Sequence, residues 1–216
     1  MAWTDPNTYI AGAILTAAQL NAMQANALAG GPIYATEAAR TTAIPSPFEG
    51  QRAYITGSTV ATATGAITAI PTGIQTIYNG AAWVCVTPVG ASSQTSGTST
   101  ATAAGTTTLT GDAVAISATL ATGTTALVTI SANDTGSITM QGIVAFAVSG
   151  ATTVAATIAA TGASGTINGA YTTTLTRSFV IAGLTAGTNT FTLNYWSGSA
   201  GTSTWQARQI TVQGIA

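Results

Sequence analysis

A chain of 216 residues that is 46% hydrophobic can bury a sizeable core in one or two domains, yet only 4% of it is charged, against roughly 25% in ordinary soluble proteins. The net charge is −1 and the four basic residues, Arg40, Arg52, Arg177 and Arg208, are scattered, so the main electrostatic term of nucleic-acid binding is missing. Histidine is absent, which excludes His-based triads, most zinc sites and the usual general base.

Residues 1–32 read as an N-terminal docking segment with a helix. Thr16 and Gln19 have capping-box spacing, and Leu15 and Leu20 are placed as a hydrophobic staple. Residues 17–29 contain no β-branched residue, and Gly30, Gly31 and Pro32 end the pattern. A helix of about three to four turns is marginal alone in water. Its apolar positions Leu20, Met23, Ala27 and Leu28 therefore need a partner surface: the rest of the chain, further copies of it, or a larger particle.

Residues 33–90 read as a small β block. A helical turn is expected near Glu37 and Arg40, whose i, i+3 spacing suggests a solvated contact. Pro45 and Pro47 lead into a strand through Ala53, Tyr54 and Ile55. Asn79-Gly80 between two strand-like runs predicts a hairpin with a two-residue turn, Thr76 opposite Trp83 and Ile74 opposite Cys85. Both hairpin faces are apolar, which suggests burial against neighbouring subunits. Cys85 is the only cysteine, so no intrachain disulfide is expected, and it reads as a small core residue.

Residues 91–105 carry no charge and no large apolar side chain, and read as a Ser/Thr/Gly linker. Residues 106–216 predict an antiparallel β-sandwich, jelly-roll or immunoglobulin-like, with strands near 113–120, 126–132, 137–148, 152–159, 171–176, 178–181, 188–196 and 205–212. Gly123, Asn133-Asp134-Thr135-Gly136, Gly150, Gly162, Gly183 and Gly187 read as turns. The fold class expected is mainly β: a short N-terminal helix, a hairpin block and the sandwich.

The sequence offers little chemistry. The five carboxylates, Asp5, Glu37, Glu49, Asp112 and Asp134, are far apart in the chain. Only Glu37 and Glu49 share a block, as a paired glycosidase constellation would require. No phosphate loop or dinucleotide fingerprint is present. Asp134 reads as a turn-capping residue more readily than as one ligand of a calcium site, which usually takes several acidic groups. No catalytic residue, cofactor or metal is expected, and the chain reads as a binding protein. Trp196 and Trp205, with Tyr195, are candidates for surface recognition of a glycan by stacking. No secretory signal and no apolar run of about 18–20 residues is seen, so no membrane insertion is expected.

Three stretches carry a resemblance. Trp3-Thr4-x-Pro6, then Tyr9-x-Ala11-Gly12-x-x-Leu15-Thr16-Ala17-Ala18-Gln19-Leu20-Asn21, resembles the start of many tailed-bacteriophage virion proteins. Pro47, Gly50, Ala53 and Tyr54, followed by Tyr78-Asn79-Gly80-x-x-Trp83-Val84, resembles a module of such proteins. The run 183–193, Gly-Leu-Thr-Ala-Gly-Thr-Asn-Thr-Phe-Thr-Leu, and the closing Trp205-x-x-Arg208-x-Ile210-x-Val212 look like the ends of their sandwiches. The resemblance implies a virion structural protein, made in the host cytoplasm and assembled as a homotrimer. One expectation is a minor tail or tail-fibre protein contacting the host surface; the other is a capsid decoration or head-fibre protein on the major capsid protein. Docking would fall to Trp3, Tyr9, Leu15, Leu20, Met23 and Leu28.

Overall fold

Alternating β-branched and small residues form strands throughout a computed structural model that describes residues 20–21, 31–69, 73–103, 105–167 and 171–215. Leu20 and Asn21 are helical and Leu20 is exposed. The rest of the expected N-terminal helix lies outside the described residues, as do Trp3, Tyr9, Leu15, Met23 and Leu28.

In chain order the elements are β1 (Ile33–Tyr34), α1 (Glu37–Ala43), β2 (Arg52–Ile55), β3 (Thr62–Thr64), β4 (Ile67–Ala69), β5 (Ile74–Tyr78), β6 (Trp83–Cys85), β7 (Val89–Ser93) and β8 (Gly97–Ser99). There follow β9 (Ser117–Thr122), β10 (Thr125–Gly136), β11 (Met140–Gly150), the single turn α2 (Ile158–Thr161), β12 (Gly162–Ile167), β13 (Thr173–Ala182), β14 (Gly187–Ser197) and β15 (Ser203–Ile215).

Two sheets make the sandwich. The front sheet has the order β13-β10-β15-β7-β4, with β8 also on β15, and the back sheet has the order β12-β11-β14-β9-β3. The pairings are nested and antiparallel: β7 with β15, β9 with β14, β10 with β13, β11 with β12. A long hairpin rolled so that successive pairs fall in alternate sheets is a jelly roll, which decides between the two sandwich types the sequence left open. Inside, β10 contributes Ala126, Val128, Ile130 and Ala132, and β14 contributes Phe191, Leu193 and Tyr195. Phe146 meets Phe179 edge-on at 5.5 Å and lies 6.0 Å from Phe191.

The third sheet, β1-β2-β5-β6, closes one end of the sandwich. Val84 and Asn79 reach Gly123, Val84 also reaches Gly214, and Gln213 donates to the Val86 carbonyl at 2.7 Å. One continuous apolar cluster runs from Tyr34, Ile55, Ile74 and Cys85 into the sandwich interior.

Several expectations change. Residues 91–105 do not form a linker: β7 and β8 pair with β15 inside the front sheet. The small residues there meet close neighbours. A Cβ on Gly90 would lie 2.8 Å from the Ile210 carbonyl oxygen, and one on Gly97 would lie 2.7 Å from Leu109. Residues 33–90 are not a separate block either, because β3 and β4 are outer strands of the sandwich sheets. Residues 152–159 form no strand beyond an isolated Val148–Val154 bridge, and 171–176 and 178–181 merge into β13.

The hairpin loop spans four residues, not two. Asn79 Oδ1 accepts from the N–H groups of Ala81 and Ala82, and Thr76 faces Cys85 while Tyr78 faces Trp83. That register differs by two residues, so each side chain keeps its face. The burial of Val84 is supplied by this chain's own Gly123 and Gly214, with no neighbouring subunit required.

Candidate functional site

Neither tryptophan forms a recognition platform. Trp205 is fully buried, its ring 5.3 Å from that of Tyr195. Trp196 does point to the outer side of the back sheet, but it is only 7% exposed. Ile143, Ala145, Ala101 and Ala156 surround it. The stacking surface expected of these residues is therefore absent.

The inward turn of Trp205 comes from a bulge in β15. The register with β10 shifts between Ser131 and Asn133, so that Ala132 faces an extra residue. Ala207, at φ 46°, takes up the irregularity in a left-handed conformation uncommon for residues other than glycine. Strict alternation would put Trp205 and Arg208 on opposite faces, three positions apart. The bulge puts both inside.

Arg208 is accordingly buried, and Asp112 answers its charge. Arg208 Nη2 donates to Asp112 Oδ1 at 2.6 Å, and Nη1 donates to Oδ2, a two-point contact. Nη2 also donates to Ser93 Oγ at 3.2 Å and to the Thr95 carbonyl at 3.0 Å. The guanidinium lies 5.7 Å from the Tyr195 ring. Burial alone would pull the Arg208 pKa down, but the hydrogen bonds and charge of Asp112 reverse this and hold it above its ordinary value.

Asp112 also walls a cleft of about 190 Å³, lined by Gly65, Ala66, Ser93, Thr95 and Val114 among others. This is smaller than the roughly 300 Å³ at which small-molecule sites begin. Its one carboxylate is committed to Arg208, so the cleft offers no free base.

Asp134 lies in β10, not in a turn, and is fully buried. Burial pushes its carboxyl up to about 7. The Ser203 hydroxyl and the Thr135 N–H oppose this weakly. Neither closes a hydrogen bond of ordinary geometry, and both carboxylate oxygens are without a partner. The group is enclosed: a Cβ on Gly142 would strike Asp134 Oδ2 and Ile167 Cδ1.

Near the end sheet, Glu37 and Arg40 do not form the expected solvated pair. Arg40 is buried, sits 4.4 Å over the Trp83 ring and donates to Thr76 Oγ1 at 3.3 Å. Burial lowers its pKa. Glu37 accepts from the hydroxyls of Ser58 and Thr59 and from the Thr59 N–H. Burial pushes its carboxyl up, but these bonds more than offset it, leaving the pKa below the ordinary value. Glu49 lies beside Gly80. Among the described residues no three His, Cys, Asp or Glu side chains cluster as a metal site would need.

The most extensive polar feature is the outer face of the front sheet. Its rows run Val180–Leu127–Gln213, Ser178–Thr129–Thr211–Gly90 and Thr176–Ser131–Gln209–Ser92 across the strands. Hydroxyls bond their neighbours across β10 and β13: Thr129 with Ser178 at 2.9 Å, and Ser131 with Thr176 at 2.9 Å. Thr174 donates to Asn133 Oδ1 at 2.9 Å. No residue in these rows is charged. The back sheet repeats the chemistry with a Thr119–Thr190 pair at 2.8 Å. The sequence signal was available in the polar, uncharged residues at every second position, Thr129, Ser131, Asn133 and Thr135, and again Thr172, Thr174, Thr176 and Ser178. Apolar periodicity alone does not register it.

The sequence matches no protein-family model and no curated protein. Among solved structures the chain is similar to Eiger TNF from S. frugiperda, at 9% identity and TM-score 0.36, over 47% of this chain and 65% of that one. It is also similar to a CBM4 structure, at 11% identity and TM-score 0.32, over 72% of this chain and 81% of that one. A third is the CBM22-1–GH10 part of Clostridium thermocellum xylanase 10B, complexed with xylohexaose, at 14% identity and TM-score 0.29; the chain spans 20% of that protein's length in the structure. Likenesses of this size carry no argument about function.

Proposed function

We propose that this chain is a structural protein of a bacteriophage virion, docked as a homotrimer by its N-terminal segment with the sandwich facing outward. Binding, not catalysis, is its work, and a minor tail or fibre-type protein contacting the host surface is the leading assignment. The observation that carries the reading is the broad hydroxyl and amide face of the front sheet, free of charge along its rows. It suits a component held in a neutral assembly. Colloidal solubility of a free protein normally relies on net charge, which is −1 here. The virion-like motifs at Trp3–Asn21, Tyr78–Val84 and Gly183–Leu193 supply the kind of assembly.

The test is to locate the chain in purified particles and count its copies. A handful of copies at the tail supports the leading assignment, and hundreds on the shell support capsid decoration or a head fibre instead. Deleting residues 1–32 should leave a folded sandwich that no longer joins particles. Absence of the full chain from particles would overturn both.

A further inference from the structure

We infer that the outer face of the front sheet is the surface on which copies of this chain associate with one another. This rests on the assembly reading above and names the surface that such an assembly would use. Three observations support it.

The first is area. β10 has 12 residues, which at about 3.3 Å per residue gives a face about 40 Å long. Its neighbours are β13 with 10 residues, β15 with 13 and the shorter β7 with 5, spaced at about 4.8 Å. Together the four strands present about 630 Å², roughly four-fifths of the 800 Å² that a stable interface takes from each partner.

The second is chemistry. Thr129, Ser131, Thr176, Ser178, Gln209 and Thr211 each offer both a donor and an acceptor. Such groups can satisfy one another whichever part of a neighbouring copy's face they meet, as copies arranged about a three-fold axis require, whereas a charged face would repel its copies. With no charge in its rows it has nothing with which to select an oppositely charged stranger.

The third is the apolar corner. Val180 is 69% exposed and Ile215 is 40% exposed, with Leu127 beside Val180 in the register. Apolar side chains rimmed by hydroxyls and amides match the anatomy of protein interfaces. The rows contain no aromatic side chain on which a sugar ring could stack, and the surface is a sheet face, not a cleft.

The experiment measures the mass of the full chain by light scattering and sedimentation at micromolar concentration. Its variants are Thr129→Arg, Thr211→Arg and Val180→Asp on the face, with Thr188→Arg on the outer side of the back sheet as control. Circular dichroism monitors folding. Val180 is exposed, so its substitution keeps the test open even where an arginine in a central strand disturbs the sheet. We expect an oligomer for the wild type and the control, and at least about 100-fold weaker association for the folded face variants. Face variants as oligomeric as the wild type would overturn the inference, as would a monomeric wild type. A monomeric wild type still found in virions would sink this surface alone. An oligomer absent from virions would sink only the virion reading.

Discussion

Asp134 and Trp205 stand directly opposite each other on β10 and β15, both fully buried, and neither the carboxyl oxygens nor the indole N–H has a hydrogen-bond partner. Unsatisfied polar atoms inside a sandwich are expensive, more so for an ionised carboxylate. The carboxyl therefore lowers the cost by keeping its proton, and this makes the stability of the fold depend on pH.

The Asp134 carboxyl is raised from 3.8 to about 7. A carboxyl whose folded pKa is raised favours the folded state fully below its unfolded value and loses that contribution as pH rises towards the folded one. Stability from this group should fall between about pH 4 and pH 7, by about 4 kcal/mol at most. Urea midpoints measured from pH 4 to pH 8 should show the fall. Asp134→Asn should flatten it and be the more stable protein at pH 8. A wild-type midpoint that rises across this range would contradict the assignment.

The Asp112–Arg208 pair gives an asymmetric expectation. Asp112→Ala leaves a buried guanidinium without its counter-charge and should destabilise by about 3–5 kcal/mol. Replacing both partners, as Asp112→Leu with Arg208→Met, removes the orphaned charge and should lose much less. A double-mutant cycle in urea reads the difference. Equal losses in the single and double variants would mean that the pair does not carry this end of the core.

At Ala207 the backbone itself is the target. With φ at 46°, Ala207→Gly relieves a left-handed conformation and should stabilise by roughly 0.5–1 kcal/mol. Ala207→Val, β-branched at the same position, should destabilise by more than that gain. Thermal melts of both variants check the bulge, since an ordinary extended residue would give the opposite order.

Cys85 is buried and donates to the Thr87 carbonyl at 3.4 Å. Burial pushes its thiol up to about 11. Thiolate is the reactive form, so a thiol reagent at pH 8 should leave the folded protein unmodified and label it rapidly in urea. Rapid labelling of the native protein would show that the end sheet opens.

The class of fold was written locally. Period-two alternation marks Ala118 and Leu120 on β9, Ile116 just before it, and Phe191, Leu193 and Tyr195 on β14 as inward-facing sets, and the structure buries them. Val114 continues the same alternation within the strand expected over 113–120, but it lies before β9 and is 46% exposed. The short strands β7 and β8 were illegible for a physical reason. Their small residues signal flexibility in an isolated chain, but here they allow backbones to approach within a side chain's width.

Composition and alternation by themselves determined a charge-poor, mainly β chain without histidine chemistry, because burial on one sheet face imposes a two-residue period on any sequence. Only the tertiary structure decided that Trp205 and Arg208 share the interior and that Asp134 meets no partner there. One inserted residue reverses every face beyond it, and nothing in the local sequence of β15 announces where its partner strand will force that insertion.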